Sequence, residues 1–180
     1  MGLLWKGTHS HKNIHIRSGG EIDVKSGASL KLAGTALTPT AANLNTQIRV
    51  ASVEISSAEI LALFTTAKEL VAAPGAGNVL EFVSLLLAYD YNTTAYTVTS
   101  ATDLAVKITD KTGASVSTTR AVTGFIDQTA DKLFILDKLE ASVAPVVNSP
   151  LCLALAGANP TLGDGVIHAK VCYIVHDTGL

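Results

Sequence analysis

Charge is what this chain most conspicuously lacks. Only 16% of its 180 residues are Asp, Glu, Lys or Arg, where a soluble chain usually carries about 25%. A free-standing monomer shows more charge on its surface than that, and mean hydropathy is positive at +0.37. Both observations predict surface hidden in contacts between chains. The net charge is −2, so there is no basic footprint for nucleic acid or an anionic membrane. Aromatic residues make up 5% of the chain, which is lean for a protein that binds sugars. Cys152 and Cys172 are too few for a disulfide framework. Each lies in an apolar run, LCLAL or KVCYIV, and reads as a buried reduced thiol; a bridge between neighbouring strands is the alternative. No apolar run approaches the ~20 residues that span a bilayer. The longest, residues 79–88, contains Glu81. The opening MGLLWKG also lacks the apolar stretch of a signal peptide. The expectation is a protein made and assembled in a cytoplasm, with no membrane partner.

Catalytic signatures are missing as well. Gly75-Ala76-Gly77 is not followed by the remainder of a phosphate loop and reads as a turn. There is no GxSxG elbow, no HExxH, no CxxC and no EF-hand loop. Asp127 and Asp131, beside Gln128 and Thr129, read as loop surface, with a cation-holding loop as the alternative. No enzyme activity and no cofactor are expected.

What the chain does have is apolar residues, 48% of the total, enough for a real core. It also has a repeat. Residues 14–35 fall into rows of eight, IHIRSGGE, IDVKSGAS and LKLAGT. Ile14, Ile22 and Leu30 form one column, and Ile16, Val24 and Leu32 another. Each row is a short strand with both aliphatics on one face, followed by a Ser/Gly turn. Six modest aliphatics cannot offset ordering entropy of about 1–2 kcal/mol per residue. The stripe therefore needs a partner: the main sheet, or sister copies around a threefold axis. The second suits small-residue corners and leaves no free strand edges, so a trimerisation stem is expected, with a flexible arm as a further reading. Thr38 and Pro39 then open a turn of helix, which divides residues 1–45, arm and stem, from residues 46–180, the body.

The body reads as all-β. An irregular strand carries Ile48, Val50, Val53 and Ile55. Ser56 and Glu59 form a capping box, with Ile55 and Ile60 as its staple, ahead of a short helix over residues 57–64. Residues 68–73 fit helix extension or strand equally. A long strand covers 79–91, and shorter ones are predicted at 96–99, 104–110, 115–119, 132–136, 151–155 and 166–176, separated by turn signals. No βαβ rhythm appears, so a jelly-roll-like β-sandwich is expected.

Three further groups are candidate sites. Leu3, Leu4 and Trp5 form an apolar plug near the terminus that would contact a neighbouring subunit or a partner surface, or dock on the chain's own body. His9 and His11 share one face of an extended strand. They read as part of a polar arm or, converging on a threefold axis, as ligands to a transition metal. Tyr89, Tyr91 and Tyr96 surround an Asn-Thr-Thr loop and could form an exposed sugar platform. His168 and His176 read as ordinary strand residues.

The segment GGEIDVKSGASLKLAGTALTPTAANLN resembles segments of tailed-bacteriophage virion proteins: head decoration (cement) proteins, head fibres and tail fibres. ELVAAPGAGNVLEFVSLLLAYDY is similar to a phrase found in small phage structural proteins. The resemblance implies a homotrimer with a β stem joined to a compact β domain, located on the virion. It makes the major capsid protein the partner of a decoration protein, and a receptor or glycan the partner of a fibre module. It also implies that threefold His-x-His metal sites are a known use of such a pair.

Overall fold

The computed structural model describes residues 31–32, 35–36 and 48–179. The chain divides into two units, Met1–Thr40 and Ala41–Leu180. In the first, β1 (Lys31–Leu32) pairs antiparallel with β2 (Thr35–Ala36), Lys31 facing Ala36 and Leu32 facing Thr35. The other stem candidates, Ile14, Ile16, Ile22, Val24 and Leu30, lie outside the described residues, as do Leu3, Leu4, Trp5, His9 and His11.

Among the described residues, the second unit is a β-sandwich-like body of two antiparallel four-stranded sheets with one short helix. Its strands are β3 (Arg49–Ile55), β4 (Lys68–Val71), β5 (Asn78–Asp90), β6 (Asp103–Ile108), β7 (Arg120–Ala121), β8 (Lys132–Asp137), β9 (Leu151–Leu155) and β10 (Val166–Asp177). The first sheet has the order β3-β10-β5-β8 and the second β4-β9-β6-β7. The pairing is nested. The first of the eight strands pairs with the last, β4 with β9, β5 with β8, and β6 with β7. Two further pairings, β10 with β5 and β9 with β6, join these hairpins into sheets.

Alternation places the core. In β10, Ile167, Ala169 and Val171 are buried while His168 and Lys170 are exposed, the period-2 pattern of a sheet with one wet face. In β5 the period breaks: Phe82 and Leu85 are both buried. The pairing with β10 jumps there from Ser84 to Phe82, so Val83 is an extra residue in a β-bulge that returns Phe82 to the core face. Every residue of β9 is buried. Its core-facing leucines alternate with small Cys152 and Ala154, and Cys152 stands between Glu69 and Lys107 in the ladder.

Several expectations are revised. The capping box forms, with Ser56 N–H donating to Glu59 Oε2 at 2.8 Å and Glu59 N–H to Ser56 Oγ at 3.4 Å. The helix, α1, covers only Ser57–Ile60. Beyond it Ala62 and Leu63 donate to Glu59 and Ile60, three residues back instead of four, which tightens the chain into turns. Residues 68–71 are strand. The strands predicted at 96–99 and 115–119 shrink to isolated bridges, at Thr97 and at Ser115 and Ser117. In the second case Ser117 Oγ accepts from Val106 N–H at 2.8 Å and donates to Thr118 O at 2.8 Å. A side chain there takes the place of a ladder hydrogen bond.

Both cysteines are free. Cys152 belongs to one sheet and Cys172 to the other, so the bridge between neighbouring strands is excluded. Cys172 is only half-buried.

Candidate functional site

Two places in the body gather polar side chains from distant parts of the sequence. The first is at the end of the sandwich where β5 begins. Glu81 in β5 accepts a hydrogen bond from Lys138, just beyond β8, and lies 2.6 Å (Oε2) from His176 Nε2 in β10. The Lys138 ammonium and then His176 hold the Glu81 carboxyl below the usual carboxylate range. The cluster ties β5 and β10 to the segment just beyond β8. Glu81 and Lys138 sit on the rim of a cavity of about 230 Å³ whose walls include Leu80, Phe82, Ile108 and Val143. Such a lining suits an apolar group.

The second is the opposite end, around the Asn-Thr-Thr loop. Asp164 accepts from the N–H groups of Thr93 at 3.0 Å and Thr94 at 2.8 Å, from Asn92 Nδ2 at 3.1 Å and from the Thr93 hydroxyl. These bonds, the Thr93 hydroxyl first, hold its carboxyl below the usual carboxylate range. Asp131 Oδ1 accepts from Tyr91 N–H at 3.0 Å, and Asp127 Oδ1 from Gly124 N–H at 2.7 Å. Asp127 and Asp131 are therefore loop staples. Among the described residues, no cluster of three or more His, Cys, Asp or Glu could hold a metal ion.

The tyrosine platform is overturned. Tyr89 and Tyr96 are 1% and 2% exposed. The odd-numbered register of β5 that buries Leu85 and Leu87 carries Tyr89 inward with them, and its ring packs at 5.9 Å from that of Phe125. Tyr96 donates its hydroxyl to Gly165 O at 2.6 Å beneath the loop. A Cβ on Gly163 would lie 2.4 Å from the Tyr96 ring, so this glycine, at φ +81°, is needed for the ring to seat. Only Tyr91 is partly accessible, and its hydroxyl donates to Thr93 O at 2.6 Å.

Sequence reasoning missed the Glu81–Lys138–His176 cluster because its partners lie 57 and 95 residues away from Glu81. No local spacing could signal it. Asp164 was legible only as part of a Gly-Asp-Gly turn. In comparison with known proteins, no family model, curated protein or solved structure matches the chain. No described helix is long and apolar enough to cross a membrane.

Proposed function

We propose that the chain is a non-enzymatic structural protein of a tailed-phage virion, a homotrimeric decoration protein that cements the head. The observation that carries this reading is the eight-residue repeat, whose columns Ile14/Ile22/Leu30 and Ile16/Val24/Leu32 have too little apolar surface to fold alone. The order of the body's strands supports it. Eight strands nested as first with last, second with seventh, third with sixth and fourth with fifth make two interlocked Greek keys. We read this as a jelly roll, a fold that viral capsid and lectin domains use. Fold alone does not assign function, so the stem, the shortage of charge and the resemblance share the weight.

The mechanism is adhesive. Three linked subunits contact several capsomers together, so each weak contact acts at high effective concentration and detachment must break all of them at once. The segment with Leu3, Leu4 and Trp5 supplies subunit or capsid contact. The test has two parts. Native mass of the full chain is expected at three times 18.6 kDa and stable to dilution. The trimer is expected to co-sediment with expanded phage heads stripped of decoration protein, and not with host cells. A single-chain mass would remove the stem argument, and binding to cells without heads would favour a fibre module that recognises a receptor or glycan.

A further inference from the structure

The cavity of about 230 Å³ at the Glu81 end of the body is walled by both sheets: Leu80 and Phe82 come from β5, Ile108 from β6 and Leu151 from β9. Its remaining wall is a strap, residues 140–147, which contributes Ala141, Val143 and Val146. The strap is tied at its two ends. Leu139 N–H donates to Val116 O at 3.0 Å, and Asn148 N–H donates to Asn78 O at 2.9 Å. Among the described residues, no hydrogen bond holds residues 140–147 themselves. Apolar contact alone seats this wall, so it is the side that can yield to an entering group.

The polar chemistry of the lining is sparse. Glu81 and Lys138 are its charged side chains, and they pair with each other at the rim. The lining therefore carries no net charge with which to hold an ion. Its other polar side chain is Ser149, which is 8% exposed. Ser149 Oγ accepts from Thr109 Oγ1 at 3.2 Å, and no acceptor among the described residues takes the Ser149 hydrogen. The backbone holds this pair in place at a cost. Thr109 is β-branched yet lies at φ +74°, and Asn148, next to Ser149, lies at φ +51°. A β-branched residue there is an outlier. Thr109 N–H is fixed by Pro150 O at 2.9 Å. Such positions persist where the surrounding structure enforces them, and they gather at ligand sites.

From this geometry we infer that the cavity binds a small uncharged hydrophobe with one oxygen, of the class of medium-chain aliphatic alcohols. The carbon skeleton lies between the sheets and the strap, and the oxygen accepts from the Ser149 hydroxyl. An apolar cavity of ~150 Å³ takes benzene, so this one suits about nine heavy atoms.

Isothermal titration of the full chain tests this with 1-octanol, octanoate and ethylbenzene. The parent is expected to bind 1-octanol, ethylbenzene more weakly, and octanoate far more weakly than the alcohol. Ser149→Ala is expected to weaken 1-octanol several-fold and to leave ethylbenzene, which has no oxygen, unchanged. Val143→Trp and Ala141→Trp each carry an indole into the cavity from the strap and are expected to abolish binding of both. Ala141 is exposed, so its variant keeps the test open should Val143→Trp disturb the fold, as judged by near-UV circular dichroism. Failure of the parent to bind 1-octanol or ethylbenzene, or binding that survives an indole in a folded variant, overturns the site. Octanoate bound as tightly as 1-octanol, or equal weakening of 1-octanol and ethylbenzene by Ser149→Ala, overturns the uncharged oxygen and its partner.

Discussion

Tyr89 and Tyr96 lie side by side in the core with ring centroids 6.2 Å apart, yet only one hydroxyl is satisfied. Tyr96 donates to Gly165 O, whereas Tyr89 Oη finds no partner among the described residues. Burial pushes the Tyr89 phenol up to about 12 and raises that of Tyr96 as well. Removing an unpaired buried hydroxyl costs little, and removing a paired one leaves its acceptor bare. Urea denaturation is therefore expected to show Tyr89→Phe neutral or slightly stabilising and Tyr96→Phe destabilising by about 1 kcal/mol. Glu81 offers a test in pH. Its carboxyl is held below the ordinary 4.5 in the folded protein, so its contribution is complete above 4.5 and is lost as pH falls through the lowered folded value. Glu81→Gln is expected to cost about 1 kcal/mol at neutral pH. Denaturation curves of the variant and the parent should converge in more acid solution. A gap that persists there would mean that packing, not charge, holds the cluster.

At the scale of elements, local chemistry was legible where it was self-contained. The Ser56/Glu59 box needs only four residues and forms as read; Lys68 then reinforces it, with Nζ 2.5 Å from Glu59 Oε1. Ser56→Ala is expected to lower stability by about 1 kcal/mol, measured by thermal or urea unfolding. The strands at 132–136, 151–155 and 166–176 were also readable from alternation and turn residues. Those at 96–99 and 115–119 were not, because a strand needs a neighbour with free backbone groups. At Ser117 a hydroxyl occupies the position a ladder bond would take. The bulge at Val83 was equally hidden: EFVSLLLAYD looks continuous, and only pairing with β10 shows where the register slips.

The whole molecule closes through its last strand. β10 is hydrogen-bonded to both β3 and β5, so it joins the beginning of the body to its middle. A chain ending at Gly165 is expected to lose the folded body, not merely an edge, as read by far-UV and near-UV circular dichroism. Retained near-UV signal would show that the inner pairings suffice. At this scale also belongs the native mass, which decides whether the repeat is completed by sister copies.

The sequence alone determined the class of secondary structure, the capping box, most strand positions and the absence of familiar catalytic motifs, because these depend on neighbours within a few residues. It did not determine that Tyr89 and Tyr96 are core, that Glu81 meets His176 across 95 residues, or that Thr109 meets Ser149 across 40. Those follow from nested pairing of strands far apart in the chain. Only when register is set does each alternate residue acquire an inside or an outside.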